Sequence, residues 1–224
     1  MDIWLDTAVI DDVKKYLSFI TGVTTNPTIL LKSGCKDFER HIKVICQLLS
    51  QRYGDRAKVS VELTETLGGA MIAEAEKYSD WSENIIVKVP MNETGLQAIP
   101  EICDFVDVNC TACMSRGQVL LAAHLGAKYI SLFWNRIADT FVDPIEVVNS
   151  SCHGLIDENG VRSAKIVVGS IRTVRDVYDI TNKTVADIIT IPPQFIPVIV
   201  NHPKTVETVK QFQDDWEKLK GESK

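Results

Sequence analysis

Ile85-Ile86-Val87-Lys88-Val89-Pro90 is a short β-branched stretch with one charged side chain in an otherwise apolar run. Successive side chains of a strand point to opposite faces, so Lys88 shares its face with Ile86 while the flanking valines face the other way. A strand that is apolar on both faces is typical of a parallel sheet covered on both sides. The stretch therefore predicts a central strand of a parallel α/β sheet.

Similar runs recur about every 28 residues along the 224-residue chain. They predict strands at 3–5, 22–24, 58–63, 85–89, 105–109, 129–133, 165–168 and 187–191. Longer amphipathic stretches predict helices at 9–20, 36–53, 67–79, 94–102, 115–125, 139–151, 173–181 and 193–200. Eight strand–helix units in this length predict an α/β fold of the (β/α)8 TIM barrel type. A doubly wound open sheet is the main alternative, but its G-x-G-x-x-G phosphate-binding sequence is absent.

The tail of the chain forms one more amphipathic pattern. No low-complexity segment or long linker divides residues 1–224, so we expect a single barrel domain that ends in a C-terminal helix over 204–224. Apolar residues recur on one stripe of this helix, at Val206, Val209, Phe212, Trp216 and Leu219. This stripe needs a covering surface, either on its own barrel or on a neighbouring subunit.

Composition excludes several classes of function. The formal net charge is −6, and nucleic-acid backbones favour a dense basic face, so we expect no nucleic-acid partner. The most apolar region, 119–134, is interrupted by His124 and Lys128, so we expect no membrane partner. The acidic N-terminus does not resemble a secretory signal. Six cysteines are too sparse for a disulfide framework, and together these features predict a soluble cytoplasmic protein with reduced thiols.

The pair Cys110-x-x-Cys113 is the one motif that suggests a metal or redox site. A structural zinc site needs about four ligands, and the sequence offers no second pair at suitable spacing. We therefore interpret both cysteines as packing residues and predict no metal.

Lys88 is the most informative residue for chemistry. If helices and a packed interior cover both faces of its strand, its ammonium is kept from bulk water, and burial favours the neutral amine. A neutral amine is a nucleophile that condenses with a carbonyl to form a Schiff base. The alternative is an edge-strand lysine that reaches solvent.

Two carboxylates end other predicted strands. Asp6 follows the strand at 3–5, and Glu62 follows Val59-Ser60-Val61. Asp6 alone is also well placed as a helix N-cap. In a barrel, however, the carboxyl ends of the strands meet at one mouth, where active sites lie, so the amine and both acids are expected to converge.

Polar residues also end further strands. Thr24 and Asn26 lie where a strand runs into a turn before a proline, and Asn109 and Thr111 end another predicted strand. Turn and capping chemistry is the alternative for the first pair.

Two arginines follow later strands, Arg136 after Phe133 and Arg172 after Gly169-Ser170. Barrels often bind phosphate through the loops after their last strands, so these arginines predict a phosphate site. A surface salt bridge is the alternative for either arginine alone.

Together these motifs resemble the transaldolase family, most closely its short members, which are similar in length to fructose-6-phosphate aldolase. The resemblance spans nearly the whole chain and rests on LDT (5–7), GVTTNPT (22–28), IIVKVP (85–90), N-x-T (109–111), NRI (135–137) and GS-x-R (169–172).

The resemblance implies a class I aldol mechanism without a cofactor. Lys88 would form the Schiff base, Asp6 would be the general acid/base at the C4 hydroxyl, and Glu62 would shuttle protons through a water held with Thr111. The implied substrate-binding residues are Thr24, Asn26, Asn109 and Ser131 for the donor, Phe133 beside it, and Arg136, Ser170 and Arg172 for the phosphate.

Three positions separate the two activities of the family. Its aldolases tend to have Gln, Tyr and an aliphatic residue where this sequence has Glu62, Phe133 and Asn109. This implies a transaldolase that moves a dihydroxyacetone unit from sedoheptulose 7-phosphate or fructose 6-phosphate to glyceraldehyde 3-phosphate or erythrose 4-phosphate. Fructose-6-phosphate aldolase activity and a non-catalytic sugar-phosphate-binding barrel are the alternatives. The resemblance also implies a homo-oligomer, a pentamer or decamer with exchanged C-terminal helices.

Overall fold

Eight parallel strands close into a barrel in chain order in the computed structural model, which describes residues 1–222. The strands are β1 (Asp2–Asp6), β2 (Gly22–Thr24), β3 (Lys58–Glu62), β4 (Ile85–Pro90), β5 (Val108–Cys113), β6 (Tyr129–Phe133), β7 (Lys165–Gly169) and β8 (Ile188–Ile191). β8 pairs with β1 and closes the ring. The fold is a TIM barrel, which confirms the predicted fold class.

Helices alternate with the strands and form the outer layer. They are α1 (Ile10–Tyr16), α2 (Pro27–Lys32), α3 (Phe38–Tyr53), α4 (Gly68–Ser79), α5 (Glu93–Ile102), α6 (Arg116–His124), α7 (Trp134–Ala138), α8 (Pro144–Gly154), α9 (Val174–Lys183), α10 (Ile196–Val200) and α11 (Pro203–Glu222). Short 3₁₀ helices occupy Gly54–Arg56 and Pro193–Phe195.

Local sequence explains where many of these helices begin. A short polar side chain accepts a hydrogen bond from a backbone N–H of the first turn and so satisfies a donor that the helix itself leaves unpaired. The capping residues are Asn26, Asp37, Asn92, Ser115, Asp143 and Thr173. The apolar faces of the helices then pack on the outward side chains of the strands; Ile42, Ile45 and Leu49 of α3 are fully buried in this way.

The barrel interior is apolar at the N-terminal ends of its strands and polar above. The lower cluster consists of Trp4, Ile86, Tyr129, Val167 and Ile188. The absence of a side chain at Gly22 makes room for it, because a Cβ there would lie 2.6 Å from the Trp4 indole. This cluster fills the lower end, and the polar part of the interior lies towards the carboxyl ends of the strands.

Strand β5 departs from the prediction. The sequence suggested 105–109, but the strand starts at Val108 and runs to Cys113. The backbone N–H groups of Phe105 and Val106 bond back to the carbonyl of Ile102, so these residues turn out of α5 instead of pairing with β4. Asn109 therefore lies near the start of the strand and Thr111 within it, whereas we expected both to end it.

The predicted helix at 139–151 also differs. The chain forms α7 directly after β6, turns at Phe141 with a φ of 63°, and begins α8 at Pro144. Asp143 caps α8 by accepting from the backbone N–H of Ile145 at 2.9 Å. A proline at the first helical turn favours a fresh start over a continuous helix.

Helix α11 does not pack on its own barrel. Every side chain of residues 203–221 is exposed, including the apolar stripe, where Val209, Phe212 and Trp216 are 49%, 65% and 58% exposed. The predicted C-terminal helix is thus present to Glu222, and residues 223 and 224 of the prediction lie outside the described part of the chain. Within residues 1–222, no surface covers its apolar stripe. Across residues 1–222, no helix has the length and apolar character needed to cross a membrane.

Candidate active site

Lys88 lies inside the barrel on β4, between β3 and β5, and only 4% of it is exposed. Its Nζ is 3.0 Å from Oε2 of Glu62 and donates to the carbonyl of Thr25 at 2.9 Å. The edge-strand alternative is therefore wrong. The amine and the carboxylate of Glu62 are close enough to exchange a proton directly.

Asp6 ends β1 in the same interior. Burial raises its pKa, and so does the Glu62 carboxylate, while a hydrogen bond from Thr24 and the positive charge of Lys88 oppose the rise. The net pKa is above the ordinary aspartate value. A carboxyl group with a raised pKa is suited to accept and return a proton. Helix α1 begins after Val9, so Asp6 is not its N-cap.

A short hydrogen-bond chain holds the Asp6 carboxylate. The hydroxyl of Thr24 donates to Asp6 Oδ1 at 2.7 Å and lies 2.6 Å from the hydroxyl of Thr190. Since Thr24 has one hydroxyl proton and directs it at Asp6, Thr190 is the donor in the second bond.

A second chain of polar groups crosses the interior. Asn109 donates to Oγ of Ser60 at 3.0 Å and accepts from Oγ of Ser131 at 2.8 Å, and all three residues are buried. These bonds fix the orientation of the Asn109 amide. Thr111 is also buried, and its hydroxyl has no hydrogen-bond partner within residues 1–222.

A cavity of about 140 Å³ lies at this mouth of the barrel. Its lining comes from Asp6, Thr24, Asn26, Lys88, Ser131, Phe133, Arg136, Gly169, Ser170 and Thr190. All of these residues except Gly169 and Thr190 were predicted from the sequence as site residues. Gly169 was noted in the sequence only as the neighbour of Ser170. Glu62 and Asn109 join this constellation through their contacts with Lys88 and Ser131.

Asn26 has two roles. It lines the cavity, and its Oδ1 accepts from the backbone N–H of Ile29 at 2.9 Å to cap α2. The capping interpretation of this turn is therefore correct, and the same side chain lies at the cavity.

The two arginines differ. Arg136 lines the cavity, with its guanidinium carbon 5.8 Å from the centre of the Phe133 ring. Arg172 instead binds both carboxylate oxygens of Asp139, at 2.8 and 2.6 Å, outside the cavity lining. The side chain of Arg172 thus forms a surface ion pair, which the sequence analysis gave as the alternative to a phosphate contact.

Sequence reasoning missed Thr190, Ser60 and the Thr25 carbonyl. Thr190 and Ser60 each place one polar side chain on the inward face of an apolar strand, the same signal that identified Lys88. The contact from Thr25 is made by its backbone, which carries no sequence signal.

The chain is similar over its whole length to proteins named probable transaldolase. The one from Streptococcus equi subsp. zooepidemicus is 35% identical over 98% of this chain and 100% of its own length. Those from Roseobacter denitrificans and Lactiplantibacillus plantarum are 37% and 36% identical, over 97% and 100% of both chains.

Among solved structures, the barrel is similar to a crystal structure of KGPDC from Streptococcus mutans. The TM-score is 0.58 and the match covers 97% of this chain and 98% of that one. At 10% identity, the likeness shows a common fold alone. The sequence pattern of the Transaldolase/Fructose-6-phosphate aldolase family matches residues 3–223, and the chain belongs to this family.

Proposed function

We propose that this protein is a transaldolase that transfers a dihydroxyacetone unit between sugar phosphates through a Schiff base on Lys88. The observation that carries the proposal is the buried amine, 3.0 Å from Glu62, in a cavity that it shares with Asp6. The donors are sedoheptulose 7-phosphate and fructose 6-phosphate, and the acceptors are glyceraldehyde 3-phosphate and erythrose 4-phosphate.

Imine formation begins with a proton transfer. The ammonium of Lys88 gives a proton to Glu62, and the neutral amine attacks C2 of the ketose. Glu62 returns the proton to the carbinolamine hydroxyl, which leaves as water. The contact between the two groups supports this role, and the buried, unpaired hydroxyl of Thr111 on β5 is suited to hold a water for the same transfer.

Cleavage follows at C3–C4. The Asp6 carboxylate takes the proton of the C4 hydroxyl, the C3–C4 bond breaks, and its electrons move into the protonated imine to form an enamine. The first aldose leaves and an acceptor enters. The enamine attacks the acceptor carbonyl, and Asp6 returns its proton to the new hydroxyl. Asn26, Asn109 and Ser131 bind the hydroxyls of the donor unit.

Arg136, Ser170 and Arg172 bind the phosphate. Arg136 and Ser170 line the cavity already. Arg172 has to exchange its carboxylate partner for the phosphate, and exposed ion pairs are weak enough for that exchange. Arginine forms bidentate bonds with phosphate as it does with carboxylate.

Transfer is favoured over aldol cleavage by the residues at three positions. Glu62, Phe133 and Asn109 resemble those of transaldolases, and the Phe133 ring carries no hydroxyl that could protonate the enamine early. The enamine is then retained until an acceptor arrives.

A coupled assay with fructose 6-phosphate, run with and without erythrose 4-phosphate, tests the proposal. We expect transfer to the acceptor and little free dihydroxyacetone. Free dihydroxyacetone at a rate equal to transfer would instead support the aldolase. Borohydride reduction in the presence of fructose 6-phosphate should add mass at Lys88; a protein that gains none would be the non-catalytic sugar-phosphate-binding barrel.

We also propose that the protein is a homo-oligomer, a pentamer or decamer, assembled through α11. An apolar groove of about 390 Å³ lies beside β1 and β8, lined in part by Ile3, Phe19, Tyr178 and Ile199. The stripe of Val209, Phe212 and Trp216 in a second copy matches it in apolar character and also needs covering.

Light scattering tests this assembly. The chain should have an oligomeric mass, and F212D, which puts a charge on the stripe, should shift it towards the monomer mass. E207Q, on the same helix and off the stripe, is the matched control. A monomeric mass for the unaltered chain would contradict the proposal.

A cytoplasmic location, with no nucleic-acid or membrane partner, completes the proposal. All six cysteines are free, as is usual in a reducing compartment. Crosslinking from whole cells to nucleic acid, or recovery in the membrane fraction, would contradict it.

A further inference from the structure

One side-chain carboxylate joins the loop after β7 to the start of α7. Asn135 donates through Nδ2 to the carbonyl of Ser170 at 3.0 Å and to Oδ2 of Asp176 at 2.7 Å. The same Oδ2 accepts from the backbone N–H groups of Arg172 at 2.9 Å and Thr173 at 2.8 Å. Two side chains outside the cavity lining thus hold the loop that supplies part of the predicted phosphate site.

The loop needs this support because its backbone is strained. Ser170 has a φ of 60°, in the left-handed region that a residue with a Cβ adopts only at a cost. Such a conformation persists where surrounding contacts impose it. Asn135 binds the carbonyl of the strained residue itself, and Asp176 holds the two residues at the far end of the loop.

The carboxylate is well suited to this role. Burial raises the pKa of Asp176, but hydrogen bonds from Asn135 and from the backbone of Arg172 and Thr173 outweigh it, and the net pKa lies below the usual aspartate value. Asp176 also forms a capping box with Thr173, whose hydroxyl accepts from the backbone N–H of Asp176 at 3.1 Å. The loop end and the start of α9 are therefore held as one unit.

We propose that Asn135 and Asp176 are positioning residues for the phosphate site, and that they set the preference of the enzyme for phosphorylated over unphosphorylated aldoses. This inference rests on the proposed transaldolase function. The pair touches the loop that carries Ser170 and Arg172, and Asn135 immediately precedes Arg136 on α7. All three phosphate-binding residues thus depend on one cluster of hydrogen bonds.

The expected selectivity follows from the geometry. Hydrogen-bond donors stabilise a charged group only at hydrogen-bond distances. A shift of about 1 Å in a positioning element can therefore lower the reaction rate by up to about 100-fold. An unphosphorylated sugar does not use these donors. Its reaction depends on Asp6, Glu62 and Lys88 of β1, β3 and β4, and no hydrogen bond within residues 1–222 joins the pair to these strands.

Two variants test the inference, N135A and D176A. The measurements are KM for glyceraldehyde 3-phosphate, KM for unphosphorylated glyceraldehyde, and the rate of the borohydride-trapped adduct with dihydroxyacetone. We expect KM for the phosphorylated aldose to rise about tenfold or more. The other two quantities should stay within about twofold, since catalytic groups are unchanged.

Two further variants control the experiment. D176N should restore most of the selectivity, because its amide oxygen can accept the same three hydrogen bonds. D179N lies one turn later on α9 and binds only Arg175 and Lys183 among the ion pairs of the described chain, so it should resemble the unaltered protein. If D176A loses its α9 cap and fails to fold, N135A carries the test, since Asn135 caps no helix.

The outcomes separate this inference from the function on which it rests. An unaltered protein that forms no adduct overturns both. An unaltered protein that traps and transfers dihydroxyacetone, with variants whose KM changes equally for both aldoses or not at all, overturns the positioning role alone.

Discussion

The two halves of the barrel mouth are built differently. The amine half, formed by Asp6, Glu62 and Lys88, lies on β1, β3 and β4, and strand pairing holds it in place. The half proposed to bind phosphate, here called the anion half, consists of Arg136, Ser170 and Arg172. It lies on a short helix and a loop, held by side-chain hydrogen bonds. The proposed proton-transfer groups thus lie inside the barrel, and the proposed phosphate-binding groups lie nearer to solvent.

The ion pairs of the two halves show the same contrast. The side chains of Lys88 and Glu62 are 5% and 22% exposed, whereas those of Arg172 and Asp139 are 52% and 55% exposed. Removing one partner of a buried pair leaves an uncompensated charge, which is costly, but an exposed charge is solvated by water. Substitutions in the amine half should therefore lower the stability of the fold, whereas substitutions in the anion half should leave it nearly unchanged.

The largest effect is expected for K88M. This variant should lose both the borohydride-trapped adduct and transfer, because no other amine is positioned at the cavity within the described residues. K165M is the matched control: Lys165 begins β7 at the opposite end of the barrel, and its loss should leave the adduct intact. Mass spectrometry of the reduced protein checks this. An adduct that persists in K88M would show that Lys88 does not form the Schiff base.

A smaller effect is expected for E62Q, compared with D139N as its exposed counterpart. E62Q should slow adduct formation by about 100-fold, since it removes a proton-transfer group. It should also lower the free energy of unfolding by roughly 1–3 kcal/mol, because the buried Lys88 amine loses one of its hydrogen-bond partners. D139N should leave the urea midpoint unchanged. Equal destabilisation by both variants would contradict the contrast between buried and exposed pairs.

A more selective effect is expected for R136A. Loss of one charge-assisted contact should raise KM for phosphorylated aldoses by about 10- to 100-fold. The adduct with free dihydroxyacetone should form at the unaltered rate. R175A, an exposed arginine on α9, is the control. Steady-state kinetics with both kinds of substrate check this, and a slower adduct in R136A would mean that the two halves are coupled.

The smallest effect is expected for T24V, in the pH profile of kcat/KM. The hydroxyl of Thr24 stabilises the Asp6 carboxylate and so lowers the pKa of Asp6, partly opposing the rise caused by burial. Its removal should raise that pKa, and the acidic limb of the profile should move to higher pH because the proposed cleavage step uses Asp6 as a carboxylate. T190V, one hydrogen bond further away, should shift the limb less. A shift to lower pH would contradict the proposed role of Asp6.

Much of the amine half was predictable. Its residues lie on strands, where alternation of side chains assigns each position to the inside or the outside, and the order of strands around a barrel follows the chain. Lys88 and Glu62 were therefore expected together, and they pair at equivalent positions of β3 and β4. The same alternation could have identified Thr190 and Ser60.

For the anion half, the sequence predicted which residues could take part but not which partners they contact. The arginines were named, but nothing in the local sequence distinguishes a cavity-lining Arg136 from an Arg172 bound to Asp139, 33 residues away. Likewise, the contact between Lys88 and the backbone carbonyl of Thr25, 63 residues away, has no signal in the local sequence.

Local patterning thus established the presence of eight strands, the inward placement of Lys88, and the apolar stripe of the last helix. Only the folded arrangement determined the start of β5, the partner of Arg172, the strained loop held by Asn135 and Asp176, and the exposure of α11. The physical reason is range: periodicity and capping act between residues a few positions apart, whereas these contacts join segments that the closed barrel brings together.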